Sequence, residues 1–286
     1  MTLETKKETS ETPAKKPESA PYKPEKSKIN VRHVILVLSG KGGVGKSTVS
    51  VNLAYALSSH GYQTGLLDLD LHGPSIAKML GIEDLQLQAV GEHIMPVKVT
   101  GSLKVVSIAL LLAETDSPIV WRGPMKAAAT KQFLGDVEWG DLDYLIVDLP
   151  PGTGDEALNI IQFAPNVEGA VIVTTPQDVA VLDATKAIKF IKMMDLSVLG
   201  IIENMSGMAC PHCGEVIDLF GKGGGEKVAK QYDVPYLGAI PLDIEMRKAA
   251  DEGRPFIVRT PGKTSPTWDA VDKVMENLIA VIEAKE

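Results

Sequence analysis

The chain has 286 residues, 44% of them hydrophobic and 23% charged, an ordinary globular composition with apolar surface for a sizeable core. Its formal net charge of −8 argues against broad binding to nucleic acid, which needs a concentrated cationic face. Met1 opens a polar stretch, not a leader peptide, and the longest apolar run, 105–113, falls well short of the roughly twenty residues that cross a bilayer. With only two cysteines, Cys210 and Cys213, there is no secreted disulfide framework. A cytoplasmic protein with neither membrane nor nucleic-acid partners is the expectation.

Residues 1–30 are mostly Lys, Glu, Thr, Ser and Pro. Such a stretch buries too little surface to offset its ordering entropy, and it reads as a disordered polar tail ahead of one domain, 31–286. An apolar run then begins at 33–39, and similar runs recur at 65–69, 104–108, 144–148, 169–174 and 198–202. Near-continuous hydrophobicity is what strands covered on both faces require. Between most of them lie helix-length stretches with apolar residues three and four apart, such as Val49, Leu53, Ala56 and Leu57. The alternation predicts an α/β fold with a doubly wound, mostly parallel sheet. From Pro266 onward, Val271, Val274, Met275, Leu278 and Ile282 share a helical face, while Asp272, Glu276 and Glu283 stand opposite with Lys273. A membrane-surface helix would be cationic there, so this one is expected to pack on the sheet.

After the first run comes Gly40-Lys-Gly-Gly-Val-Gly-Lys-Ser-Thr48, which satisfies the phosphate-loop pattern GxxxxGK[ST] between a strand and a helix. Gly40, Gly42, Gly43 and Gly45, with Val44, let the backbone turn its N–H groups toward phosphates, and the helix adds its positive dipole end. Lys46 is placed for the β- and γ-phosphates of ATP, and Ser47 for Mg²⁺. Asp148 ends the run 144–148, where it can hold the Mg²⁺ shell; the glycines of 149–155 can respond to a γ-phosphate. Asp68 and Asp70 follow the run at 65. Asp70 is assigned the attacking water, and Asp68 reads equally as a structural ligand or a cap.

Cys210-Pro-His-Cys213 admits four readings: a disulfide redox site, half of a structural zinc site, half of a shared iron–sulfur site, or two spare thiols. Redox chemistry of the thioredoxin kind needs the first cysteine at a helix N-terminus. Zinc or a [4Fe–4S] cluster usually takes four protein ligands, and His212, inside the pair, is too constrained for a third. Two chains would supply two thiolates each. The stretch 220–226 lacks the GK[ST] ending of a phosphate loop and reads as the start of a helix, and His33, His60, His72 and His93 are scattered as surface or capping residues.

A second lysine, Lys41, after the first loop glycine resembles the deviant phosphate loop of the dimeric ATPases that include MinD, ParA and the nitrogenase iron protein. With DLDLHGPS (68–75), WRGPM (121–125), DLPPGTGD (148–155), TTPQDVAVLDA (174–184), ENMSG (203–207), CPHCG (210–214) and PLD (241–243), the chain is similar to the Mrp/ApbC iron–sulfur carrier ATPases over 31–285. The resemblance implies a nucleotide-sandwich homodimer in which Lys41 reaches the partner's nucleotide, and a [4Fe–4S] cluster bridged by both CxxC pairs and passed to apo-proteins. It also makes Asn204 a candidate adenine contact; Thr48, the last residue of the loop Gly40–Thr48, is read as part of the nucleotide site from the motif itself. Residues 1–30 contain no cysteine and only a polar stretch precedes the loop, so neither the four-cysteine site of the eukaryotic scaffold branch nor the small acidic-patch domain of many bacterial members is expected. A spatial-organising switch and a zinc-bridged interaction module are the alternative readings.

Overall fold

The computed structural model describes residues 25–70, 73–111, 123–258 and 264–285. The chain runs β1 (Val31–Leu38), α1 (Lys46–Ser59), β2 (Thr64–Asp68), α2 (Ile76–Met79), β3 (Gln88–Val90), β4 (His93–Met95), β5 (Val97–Lys98) and β6 (Leu103–Ser107). It continues with α3 (Gly123–Gly135), β7 (Leu142–Asp148), α4 (Asp155–Phe163), β8 (Val167–Thr174), α5 (Asp178–Met193) and β9 (Val198–Asn204). Last come β10 (Met208–Ala209), β11 (Val216–Ile217), α6 (Gly224–Tyr232), β12 (Tyr236–Ile240), α7 (Ile244–Asp251) and α8 (Pro266–Glu283).

Eight strands form one sheet in the order β12-β9-β8-β1-β7-β2-β6-β5. Every pairing in it is parallel except that of the edge strand β5 with β6. The reason lies in β1. Ile35 and Val37 join the core under α1, α2, α7 and α8, while Val34, Leu36 and Leu38 join the core under α3–α6. Side chains alternate across a strand, so a strand covered on both faces must be apolar at consecutive positions. All six apolar runs of the sequence lie on strands of this sheet. β12 was not among them: its Tyr-Leu-Gly-Ala-Ile is short and broken by Gly238 at φ 143°.

α8 buries Val271, Val274, Met275, Leu278 and Ile282 against the sheet. Among the described residues no helix is long and apolar enough to cross a membrane. Ahead of β1, Lys26 Nζ donates to the carbonyls of Ile161 (2.6 Å) and Ala164 (2.9 Å) at the end of α4; residues 1–24 of the polar segment lie outside the described residues. Leu278 is fully buried, so Leu278→Ala is expected to lower the unfolding free energy by about 2–5 kcal/mol, measured as a reduced urea midpoint.

Candidate functional site

Ligands of an open α/β sheet sit beyond the carboxyl ends of its strands, and that is where β1, β2, β7 and β9 deliver their polar residues. Between β1 and α1 the chain passes through Gly45, which precedes the first helical residue at φ 80°, ψ 26°. This left-handed conformation disfavours any side chain. A Cβ on Gly45 would also stand 2.2 Å from Asn204 Nδ2. Gly40 is constrained by space, since its Cβ would lie 2.2 Å from the Asp183 carbonyl of α5. The loop is thus wedged between the end of β9 and the first turns of α5. Ser39 fixes its start: the hydroxyl donates to Lys41 O (3.0 Å), and its own carbonyl accepts the N–H of Gly152 (2.8 Å), tying in the loop after β7.

The fully buried Asp148 is the hub. Its Oδ2 accepts Lys46 Nζ (2.7 Å) and Ser47 Oγ (2.6 Å), and its Oδ1 accepts Ser50 Oγ (2.6 Å). These are short, charge-assisted bonds. Lys46 Nζ also lies 3.9 Å from Asp70 Oδ2. Ser47, Asp148 and Asp70 make a set of hard oxygen donors of the kind Mg²⁺ prefers. Ser50 carries no motif, and sequence reasoning missed it.

Asp68 pairs with Asp148 in register across β2 and β7. Burial, and next the Asp148 charge, push its carboxyl up to about 7. Its Oδ1 accepts the Asp70 N–H (3.0 Å) and its Oδ2 the Ser107 hydroxyl (2.8 Å). The bond two residues on is an Asx-type turn. Asp68 thus caps the backbone at Asp70 and is tied to Ser107 on β6. Leu71 and His72 of this motif, and Trp121 and Arg122 of the next, lie outside the described residues.

Lys46, Ser47, Asp70, Pro151 and the glycines at 42, 43 and 45 line a cleft of about 180 Å³, below the ~300–1,000 Å³ that encloses a whole drug-sized ligand. It is a cradle for the phosphate end. Thr48 and Asn52 share a small crevice with Arg254 and Phe256, and Arg254 and Phe256, with Asp243 and Trp268, also line a separate cavity of about 560 Å³. No spacing in the sequence linked these aromatics to the loop, because only the docking of α7 and α8 brings them there.

The two cysteines sit in the antiparallel β10–β11 hairpin. Cys210 N–H donates to Glu215 O and Gly214 N–H to Cys210 O, both at 2.8 Å, with Gly214 at φ 75°. The backbone N–H groups of His212 and then Cys213 hold the Cys210 thiol below its usual range. Cys210 is half-buried and Cys213 exposed. A hairpin is not the helix N-terminus that thioredoxin-type chemistry uses, so the disulfide redox reading falls. Among the described residues no three His, Cys, Asp or Glu side chains converge as a metal site. The hairpin follows β9, whose last residue, Asn204, donates from Nδ2 to Val44 O of the phosphate loop at 2.9 Å.

The NUBPL iron-transfer P-loop NTPase family, of the ParA group, matches residues 30–279. The chain belongs to this family. It is 49% identical over 256 residues to the iron-sulfur cluster carrier protein of Methanocaldococcus jannaschii, covering 90% of this chain and 87% of that one. It is 51% identical over 222 residues to the cytosolic Fe-S cluster assembly factor CFD1 of Kluyveromyces lactis, covering 75% and 78%. Among solved structures it resembles the nucleotide-binding protein of Archaeoglobus fulgidus in complex with ADP, with 39% identity, a TM-score of 0.70, and coverage of 84% and 91%. As a P-loop NTPase of this family, the chain has the fold and group that its deviant phosphate loop implies.

The loop's packing makes a graded expectation. Gly40→Ala and Gly45→Ala each force backbone or a buried amide aside and lower the unfolding free energy by about 1–3 kcal/mol. At Gly42 the nearest atom to a new Cβ is Pro151 Cγ at 4.0 Å, so Gly42→Ala leaves the urea midpoint nearly unchanged.

Proposed function

We propose that this chain is an ATP-hydrolysing, cytoplasmic carrier that holds a [4Fe–4S] cluster between two copies of itself and hands it to apo iron–sulfur proteins. The observation that carries this reading is the pair of thiols on a short hairpin that follows β9, the strand whose last residue bonds the phosphate loop, with half a coordination sphere per chain. Four cysteine ligands then require two subunits. Val179 and Leu182 on α5, and Val216, Ile217 and Leu219 at the hairpin, are exposed apolar side chains that a partner subunit could cover.

In this reading the loop N–H groups and Lys46 bind the ATP phosphates. Ser47 and Asp148 hold Mg²⁺, which supplies charge neutralisation at the transferring phosphoryl group. Asp70, aimed by Asp68, orients the attacking water. Lys41 reaches the partner's nucleotide, and Asn204 faces the adenine. Release of the cluster follows from geometry, since two ligands per subunit let a small shift of the interface open the site. A membrane-bound spatial switch is disfavoured because the apolar face of α8 is already buried.

Two experiments test the assignment. Anaerobic reconstitution with iron and sulfide is expected to give a brown protein with one cluster per dimer, and Cys210→Ala/Cys213→Ala is expected to stay colourless. Zinc at half a mole per chain without iron uptake would favour the zinc-bridged module. In steady-state hydrolysis, Asp70→Asn is expected to lower kcat by about 10²-fold or more and Lys41→Ala by about 10³-fold, both with ADP affinity, read by calorimetry, essentially unchanged.

A further inference from the structure

β9 ends in two adjacent buried polar residues, Glu203 and Asn204, and adjacent strand residues point to opposite faces. Asn204 goes to the phosphate loop. Glu203 goes the other way, to the frame of the cysteine segment. Its Oε1 accepts the Ser206 hydroxyl (2.6 Å) and the Gly223 N–H (2.9 Å), and its Oε2 accepts the Gly225 N–H (2.6 Å).

Ser206 stands before Cys210 and Gly223 after Cys213, so one carboxylate fastens both feet of the segment that carries the cysteines. Glu203 is fully buried and, among the described residues, forms no ion pair. A buried charge without a counter-ion is costly, and here the N-terminus of α6 offsets it with two N–H donors and the helix dipole. The fit is close: a Cβ on Gly225 would meet Glu203 Cβ at 3.0 Å. Between Asn204, which holds the phosphate loop, and Ser206, the first foot of the segment, only Met205 intervenes, at φ 58°, a left-handed conformation that is uncommon for a residue with a side chain.

We propose that Glu203 is a positioning residue that couples the nucleotide loop to the cysteine hairpin. A shift of the Val44 carbonyl moves Asn204, and through a single peptide it moves Glu203 and both feet of the hairpin with it. The inference rests on the reading in which the loop binds nucleotide and Cys210 and Cys213 hold the cluster.

The test uses the full chain in its apo form and reads amide exchange of residues 206–223 with no nucleotide, with ADP and with a non-hydrolysable ATP analogue. In the wild type, nucleotide is expected to change the protection of this segment. Glu203→Gln keeps the shape but removes the charge and turns an amide toward one donor. Hairpin exchange is then expected to rise about tenfold, the scale of one lost hydrogen bond to a charged group, and the nucleotide-dependent difference to vanish, with ADP affinity retained. Ser206→Ala removes one of the three bonds and is expected to give a smaller rise; it remains informative if Glu203→Gln does not fold.

Wild-type protection that ignores nucleotide overturns the proposal. So does a Glu203→Gln protein in which nucleotide still shifts the hairpin to the full extent, or Ser206→Ala exchange identical to wild type. Failure of the cluster assignment shows separately, as a cluster spectrum that survives Cys210→Ala/Cys213→Ala, and leaves the exchange result standing.

Discussion

Three donors from the first two turns of α1, Lys46, Ser47 and Ser50, close on the carboxylate of Asp148 at the end of β7. The carboxylate is fully buried, so breaking one of these bonds leaves charge without its partner, among the more destabilising changes a core can suffer. This one residue therefore sets where α1 begins relative to the sheet, and with it the orientation of the loop that α1 terminates. It also sets the environment of Asp68, whose carboxyl rises to about 7 because it is buried next to that charge. The phosphate cradle is in this sense a product of the β1-β7-β2 strand order, which lines up Val37, Asp148 and Asp68 at the carboxyl ends of the three strands.

The second organising region is the end of β9. It receives the phosphate loop through Asn204 and the cysteine segment through Glu203, so both loops are held by neighbouring residues of one strand. Strands in a covered parallel sheet are stiff, and loops attached to their ends inherit that stiffness only where side chains pin them. The hairpin is pinned at both feet, while its tip, with Cys213 and the flanking Val216 and Leu219, is exposed. Pinned feet and an open tip suit the cluster-carrying role proposed for Cys210 and Cys213.

Much of this was written in the linear chain. The six apolar runs, the helical face of α8 and the string from Gly40 to Thr48 were legible because each depends on contacts a few residues apart or on burial on both faces, and both leave a periodic trace. Asp148 could be picked out because it ends such a run. β12 left only a weak trace, since Gly238 interrupts it and its place is given by pairing with β9.

What the sequence by itself determined is therefore the fold class, the phosphate loop and the two thiols, because their physics is local. Tertiary structure alone decided that Asp68 is a support for Asp70, that Ser50 joins Asp148, and that the cysteines lie on a hairpin and not at a helix N-terminus. It alone decided that Glu203 fastens that hairpin and that Phe256 and Trp268 border one cavity. Each of these depends on which strand ends become neighbours, and strand order is fixed by the packing of whole layers, which no short window of residues encodes.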